Sequence, residues 1–341
     1  MMVNVRESAG YRLLQTQLGS DAAGAVATLD LDRLLLGAGG TEVDRTILAA
    51  ALNIVLFCEL LQRVPSGAAY VAERRGAGER IRFDHGALRT VRFPDRPTGT
   101  LPAGEAAFTR ILKPLGYELA GVYPLPRLRM TGRAYAHADA PELMPQFFLS
   151  ELHVEQFDSD FAVAADAVFA GSRDPLSEAT KAALQRLASG ESLDRGAAEK
   201  ALAELVAAFA RQHPVPRLAD YETLLQQSAE AAWIATEGNA FNHATDRVPS
   251  VEAVAEAERA IGRPIKDRIE VSASGRVRQT AHRAAMVARP FIDAGGSIIE
   301  REVPGSFYEF ISRDIDPATG RLDLSFDSGN ATGIFAMTRS T

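Results

Sequence analysis

The chain contains a single cysteine, Cys58, among its 341 residues. One cysteine cannot form an intramolecular disulfide, and it cannot build a cysteine-based metal cluster. Cys58 follows the apolar run Ile54-Val55-Leu56-Phe57 in a helical pattern, so we interpret it as a buried small residue rather than as a nucleophile. A metal site in this chain would therefore depend on histidine and carboxylate ligands.

An excess of positive charge is also absent. The sequence has 44 acidic and 37 basic residues, which gives a formal net charge of −7. Nucleic acids and anionic membranes are usually bound through clustered lysine and arginine side chains. We therefore expect a small-molecule partner, with no nucleic acid and no membrane, while the oligomeric state stays open.

No hydrophobic run is long enough to indicate a membrane span. The most apolar window, Ile47 to Leu61, is shorter than the roughly 20 residues that cross a bilayer, and Asn53 and Glu59 interrupt it. The first residues lack the basic start and apolar core of an export signal. With 46% hydrophobic and 24% charged residues, we expect a soluble, cytoplasmic protein large enough for two core-bearing units.

What the sequence does contain is a repeated pattern. His85-Gly-Ala-Leu-Arg89 and His243-Ala-Thr-Asp-Arg247 each place an arginine four residues after a histidine, at an offset of 158 residues. Each pattern begins a segment whose predicted order is β-α-β-β-β. The same offset places Glu309 opposite Glu151. Internal repeats of this kind indicate two copies of one structural module.

The predicted elements can be given for each copy. After His85 we predict a helix at 104–115 and strands at 117–124, 129–138 and 147–157. After His243 we predict a helix at 251–261 and strands at 265–272, 276–288 and 306–313, with an extra short strand at 297–302. Amphipathic helical patterns fill the stretch between the copies.

These patterns predict an α+β fold. Two βαβββ modules would form one curved, mostly antiparallel sheet around a metal cup, with helices on the outside. The predicted regions are a helical N-terminal region (1–80), a first module (81–157), a helical insert (158–235), and a second module with a C-terminal segment (236–341).

Three residues of the two modules have the chemistry of a metal site. Two imidazoles and one carboxylate on one face of an octahedral ion leave three positions free, as in non-haem Fe(II) oxygenases. His85, His243 and Glu309 meet this requirement. Their separations of 158 and 66 residues form no local motif, so the spacing by itself does not establish the site.

Arg89 should share a strand face with His85, about 13 Å further along. Its guanidinium could clamp a substrate carboxylate, or it could order neighbouring acidic side chains. Both interpretations stay open for Arg89. For Arg247, which follows Asp246, we favour the structural one.

Several segments, taken in order, resemble the motifs of the 2-oxoadipate dioxygenase/decarboxylase family, which is related to the vicinal oxygen chelate, or glyoxalase-like, superfamily. The resemblance runs from about Ile81 to Glu309 and extends towards the C-terminal segment 329–335. The segments are His85–Arg89, Leu115-Gly-Tyr117, Phe241-Asn-His243-Ala-Thr-Asp-Arg247-Val248, Val277-Arg-Gln-Thr280 and Tyr308-Glu309.

This resemblance implies that His85, His243 and Glu309 are metal ligands and that Arg89 contacts the substrate carboxylate. It further implies an Fe(II) enzyme, in which zinc or nickel can replace iron on purification. The implied reaction uses dioxygen to convert 2-oxoadipate to 2-hydroxyglutarate and carbon dioxide, a step of lysine catabolism. The acid at Glu151 departs from the family pattern.

Two other classes of function remain open at this point. A glyoxalase-like isomerase or lyase could use the same cup without dioxygen, with Glu151 as a fourth ligand or as a base. A non-catalytic protein could hold a small acid in the cup. Oxygen uptake with a panel of 2-oxo acids separates the three hypotheses.

Overall fold

The computed structural model describes residues 5–37 and 41–327, so the family-like segment at 329–335 lies outside the described residues. Helices cover one face of the central sheet and form the insert between the modules. In chain order they are α1 (Ala9–Leu18), α2 (Ala22–Thr28), α3 (Arg45–Arg63), α4 (Pro65–Gly76), α5 (Ala106–Leu112), α6 (Ser159–Phe169), α7 (Glu178–Ala188), α8 (Arg195–Ala208), α9 (Leu218–Gln227), α10 (Ala229–Glu237) and α11 (Val251–Ala260).

The strands form one large sheet and two hairpins. They are β1 (Phe83–Arg92), β2 (Tyr117–Leu125), β3 (Met130–His137), β4 (Gln146–His153), β5 (Phe241–Arg247), β6 (Glu270–Val271), β7 (Val277–Ala281), β8 (Met286–Ile292), β9 (Ile298–Pro304), β10 (Phe307–Arg313), β11 (Ile315–Asp316) and β12 (Arg321–Leu322). The eight-stranded sheet has the order β2-β3-β4-β1-β5-β10-β7-β6. Among the strands of the described residues, only β1–β4 and β5–β10 pair in parallel within it. The prediction of a curved, mostly antiparallel sheet built from two modules is confirmed.

The two modules meet where β1 pairs with β5. In this antiparallel pair Gly86 lies opposite Ala244, His85 opposite Thr245, and Ala87 opposite His243. Residues 158 positions apart therefore exchange places across the pair, which is the pattern of a local twofold axis. This axis brings the two repeat histidines to neighbouring positions at the centre of the sheet.

The last strands of the modules correspond at a different offset from the predicted one. His85 lies beside Gln146 in β4, and His243 lies beside Phe307 in β10, so the offset there is 161 residues instead of 158. Glu309 therefore corresponds to Phe148, and the predicted match with Glu151 is wrong. The shift arises because the segments between the first and last strands differ in length, so residue counting cannot fix the final register.

The second module also differs from the predicted strand pattern. The strand predicted at 265–272 is reduced to Glu270–Val271, and the one predicted at 276–288 divides into β7 and β8. β8 leaves the large sheet and pairs with β9, which overlaps the extra strand predicted at 297–302. Alternation of apolar residues predicts extended chain, but it does not reveal which partner the chain will choose.

Helix α3 lies in the main core. It is 19 residues long, and by length and composition alone it could cross a membrane, although the apolar window Ile47 to Leu61 is shorter than a membrane span. However, 67% of its apolar window is buried inside the protein. Asp44 caps the helix by accepting a hydrogen bond from the Ile47 backbone, and the interrupting Asn53 donates to the Tyr117 hydroxyl. These contacts are typical of the core helix of a globular domain.

Candidate metal centre

His85, His243 and Glu309 come together on the inner face of the sheet, and all three side chains are buried. The Nε2 atoms of the two histidines are 3.4 Å apart. Glu309 Oε2 lies 3.4 Å from the nitrogen of His85 and 3.5 Å from that of His243. Since metal–nitrogen and metal–oxygen bonds are about 2.0–2.2 Å, a triangle of this size fits one first-row ion.

The residue before each histidine contacts the ring nitrogen that faces away from this triangle. Asp84 Oδ1 accepts a hydrogen bond from His85 Nδ1 at 2.9 Å. This contact places the proton on Nδ1 and leaves the Nε2 lone pair for a metal, as metal-binding histidines require. Asp84 itself is anchored by the guanidinium groups of Arg313 and Arg247.

Asn242 has the same relation to His243. Its amide nitrogen lies 2.9 Å from His243 Nδ1, while its amide oxygen is buried without a hydrogen-bond partner among the described residues. A half-turn of the amide exchanges the two atoms. The oxygen then accepts the Nδ1 proton, and Nε2 of His243 is free to bind a metal. The orphaned oxygen thus fits a metal-binding histidine.

Glu309 is held by two polar neighbours on the adjoining strands. The Thr245 hydroxyl donates to Glu309 Oε2 at 2.7 Å, and the Gln279 amide donates to Glu309 Oε1 at 3.3 Å. Thr245 also lies 3.1 Å from His85 Nε2. Thr245 therefore lies between two of the three donor groups and fixes the direction of the carboxylate.

The electrostatics of the group suit a cation. Burial lowers the pKa of His243 to about 3, so its imidazole is neutral near pH 7. Burial alone would raise the pKa of Glu309, but the two histidines outweigh it and lower that pKa to about 2. Burial also opposes the charged form of His85, yet the carboxylates of Asp84 and Glu309 raise its pKa. Glu309 is thus ionised near neutral pH, and its buried carboxylate can offset the charge of a metal ion.

One side of the cup is an aromatic wall. The Phe326 ring packs edge-on against the His85 ring, with centroids 4.8 Å apart. Phe148 and Tyr123 pack against Phe326, and Ala87 lies beside Phe148 in the same apolar cluster. The wall gives the histidines apolar surroundings on the side of the cup that Phe148 and Phe326 line.

Arg89 is fully buried, and its guanidinium lies 5.0 Å from the ring of Trp233 in α10. Its own carbonyl oxygen accepts a hydrogen bond from Asn239. Burial lowers the pKa of Arg89 to about 10, against the opposing effect of Glu230, so the side chain stays charged near neutral pH. Arg89 follows His85 and Ala87 on alternate positions of β1, on the inner face.

The counterpart of Arg89 in the second module is Arg247, which has a different role. Its guanidinium lies 3.3 Å from Asp84 and donates to the carbonyl oxygen of Glu142. These are structural contacts, in agreement with the interpretation of Arg247 that we favoured from the sequence. However, the acidic partner is Asp84 of the first module, and not the adjacent Asp246.

Glu151 lies away from the three donor groups. It is three residues beyond Phe148, so alternation turns it to the outer face of β4. There it accepts a hydrogen bond from the backbone of Glu105 ahead of α5 and forms an ion pair with Arg133 at 3.3 Å. Glu151 therefore does not complete a four-ligand site with His85, His243 and Glu309.

Sequence reasoning missed the residues that orient the ligands. Asp84 and Asn242 are themselves related by the 158-residue offset, so the repeat could have been read as an Asx–His pair. Strict alternation argued against them, because neighbouring strand residues should face opposite sides. No local signal points to Thr245 or Arg313, whose partners come from other strands.

The fold and the site define a two-module protein of the vicinal oxygen chelate type with a His-His-Glu group at its centre. The family model for 2-oxoadipate dioxygenase/decarboxylase matches residues 58–322. The chain belongs to this family and is an enzyme of that type.

Solved structures show the same fold. A putative glyoxalase superfamily protein from Ralstonia eutropha JMP134 is 52% identical, with a TM-score of 0.89 over 94% of this chain and 98% of its own. The hydroxyglutarate synthase from Oryza sativa in complex with 2-oxoadipate is 21% identical, with a TM-score of 0.66 over 89% and 97%. The Pseudomonas putida hydroxyglutarate synthase in complex with 2-oxoadipate is 20% identical, with a TM-score of 0.55 over 98% and 74%. No curated protein matches the chain significantly.

Proposed function

We propose that the protein is an Fe(II)-dependent dioxygenase/decarboxylase of a 2-oxo dicarboxylic acid, with 2-oxoadipate as the substrate. The observation that carries the proposal is the buried triangle of two imidazole nitrogens and one carboxylate oxygen. The family match supports the reaction type. The two hydroxyglutarate synthases that contain 2-oxoadipate support the choice of acid.

In this proposal His85, His243 and Glu309 hold the iron, and zinc or nickel can take its place on purification. Bound iron would supply a site for the keto-acid end of the substrate and for dioxygen. Asp84 and Asn242 keep the ligating nitrogens deprotonated, and Thr245 directs the carboxylate. The protein thus provides a preformed set of three donors.

The remaining residues act on the substrate. The aromatic wall excludes water from the side of the cup where the first module has Phe148 in place of a second glutamate. Arg89 binds the distal carboxylate and so sets the direction of the carbon chain. One 2-oxoadipate and one dioxygen give one 2-hydroxyglutarate and one carbon dioxide, with no second oxo acid. A cytoplasmic location and a role in lysine catabolism stay predictions.

The alternative is a glyoxalase-like isomerase or lyase, favoured by the likeness to the Ralstonia eutropha protein. That mechanism would use a fourth ligand or a base, for which the sequence offered Glu151. Glu151 binds Arg133 and the Glu105 backbone on the outer face, so this support is removed. The two functions still differ in whether they consume dioxygen.

The test is oxygen uptake by protein loaded anaerobically with Fe(II), using 2-oxoadipate, 2-oxoglutarate and a monocarboxylic 2-oxo acid. We expect uptake with 2-oxoadipate, one carbon dioxide per dioxygen, and 2-hydroxyglutarate as the product. His243→Ala should lose both stoichiometric metal and uptake. Turnover of an oxo acid without oxygen consumption would support the isomerase or lyase instead, and normal metal content in His243→Ala would reject the site.

A further inference from the structure

Arg313, the last residue of β10, links the candidate metal centre to the segment 323–327. Its Nε and Nη2 atoms donate to the Asp84 carboxylate at 2.9–3.1 Å. Asp84 in turn accepts the hydrogen bond from His85 Nδ1. Arg313 is buried, so these charge-assisted contacts are shielded from water.

The other edge of the same guanidinium holds the segment 323–327. Nη1 donates to the carbonyl oxygens of Asp323 at 2.9 Å and Ser325 at 2.7 Å. The guanidinium carbon lies 5.0 Å from the centre of the Phe326 ring, which packs on His85. The Phe326 backbone also donates to the Tyr123 hydroxyl. One rigid planar group therefore contacts both the partner of His85 and the segment that covers His85.

We propose that Arg313 is a positioning residue that couples the placement of segment 323–327 to the orientation of the metal ligand His85. Withdrawal of the segment would remove both carbonyl acceptors from Nη1 and the Phe326 ring from the guanidinium. Because the guanidinium is a rigid plane, a shift of Nη1 towards new partners would also move Nε and Nη2, which hold Asp84. The inference rests on the metal site proposed above.

Coupling of this kind is reciprocal. If the seated segment strengthens metal binding, the bound metal must stabilise the seated segment by the same factor. Groups that orient a metal-binding histidine typically change metal affinity by about 10- to 100-fold. We therefore expect the metal to lower the equilibrium constant for opening of segment 323–327 by about tenfold or more, by the same linkage.

The experiment uses full-length protein with Zn(II), which avoids oxygen chemistry. Zinc affinity is measured by competition with a chelator, and hydrogen exchange is followed in peptides that contain Ser325 and Phe326. The test variant is Arg313→Lys, which keeps the charge but cannot bond Asp84 and both carbonyls together. The matched control is Arg278→Lys, because Arg278 makes a similar two-pronged bond with Asp314 and does not contact Asp84.

We expect zinc to slow exchange in this segment of the wild type and of Arg278→Lys. In Arg313→Lys the affinity should fall about tenfold and the protection by zinc should disappear. Equal affinity in all three proteins, or protection that persists in Arg313→Lys, overturns the coupling. Zinc-loaded wild type that shows no protection also overturns it, and this comparison requires no variant. Zinc binding that survives His243→Ala would instead reject the metal site itself.

Discussion

Glu309 of β10 and Phe148 of β4 occupy equivalent places in the two halves of the sheet. Glu309 lies beside Thr245 and Phe148 lies beside Ala87, and Thr245 and Ala87 are related by the 158-residue offset. The two histidines are neighbours across the same axis. One half thus supplies a carboxylate where the other supplies an aromatic ring, so among the described residues one side of an ion held there would have no protein ligand.

This symmetry makes Phe148→Glu an informative change. The new carboxylate would approach the ion as Glu309 does and act as a fourth protein ligand. Only two positions would then stay open, too few for a chelating 2-oxo acid together with dioxygen. We expect metal content to be retained and oxygen uptake to be lost, as measured by metal analysis and an oxygen electrode.

The control for that change is Phe148→Leu, which keeps an apolar wall and three ligands. It should retain metal and measurable oxygen uptake. Equal uptake by the glutamate and leucine variants would mean that position 148 does not face the ion, and the symmetry argument would then be wrong.

Glu151→Gln should leave the metal centre intact. The side chain contacts Arg133 and the Glu105 backbone on the outer face, so the variant should bind stoichiometric metal and keep oxygen uptake. Arg133 keeps its ion pair with Glu105 at 2.8 Å, so loss of the Glu151 charge should lower the free energy of unfolding by only roughly 0.5–1.5 kcal/mol. Metal analysis and urea denaturation measure the two effects. Loss of the metal would favour the glyoxalase-like alternative.

Arg89→Ala should weaken the substrate without removing the metal. Loss of one charge-assisted contact typically costs about 1.5–3 kcal/mol, or roughly ten- to more than a hundredfold in apparent affinity. Arg89→Lys keeps the charge but loses the two-pronged geometry, so it should recover only part of that loss. Steady-state kinetics with 2-oxoadipate give the comparison.

A monocarboxylic 2-oxo acid of similar length is the control substrate for Arg89. It has no distal carboxylate, so Arg89→Ala should affect it much less than 2-oxoadipate. If the variant weakens both acids equally, or loses the metal, Arg89 is a structural residue and the dicarboxylate assignment loses its main physical support.

Asp246 should make stability depend on pH. Burial raises its pKa to about 7, while the hydrogen bonds from Tyr70 and the Arg82 backbone and the charge of Arg74 oppose this, and Asp84 adds repulsion. Between about pH 4 and 7 the folded protein keeps a proton that the unfolded chain has lost, so this group's contribution to stability falls as pH rises. The loss is of the order of 4 kcal/mol at most, and it is complete above pH 7.

The variant that checks this effect is Asp246→Asn, which cannot ionise. Its amide oxygen can still accept the Arg82 N–H, and its amide nitrogen can donate to Tyr70. The free energy of unfolding of the variant minus that of the wild type should increase as the pH rises from 5 to 8. Urea denaturation of both proteins at each pH measures this difference. A difference that does not change with pH would show that Asp246 is ionised at pH 5 in the folded state.

The sequence was sufficient to predict the central part of the fold. His85 and His243 mark the first strands, and these pair with each other about the repeat axis, so one offset describes both. The sequence could not determine the register of the last strand, because the β8–β9 hairpin and other changes in length intervene before Phe307. Matching one glutamate to another then gave a register three residues from the structural one.

The candidate site was predictable to the same extent. His85, His243 and Glu309 have side chains whose chemistry is visible in the sequence, and their positions follow from the modules. The orienting contacts were not predictable, since Thr245 reaches Glu309 and Arg313 reaches Asp84 across strands. Such contacts depend on side-chain direction and register together, which periodicity does not provide.

The helical insert and the β8–β9 hairpin are both additions to the repeat, and they lie against each other. Tyr221 of α9 packs on Phe291 of β8, and Glu237 of α10 binds Arg289 of β8. Together they form an asymmetric addition to a sheet that otherwise has a local twofold axis. Because α10 carries Trp233 to Arg89, whereas Arg247 lies against Asp84, the two related arginines are no longer interchangeable. On the proposed function, this asymmetric addition leaves one arginine at one end of the cup to bind a distal carboxylate. A diacid can then enter with only one of its ends towards the iron.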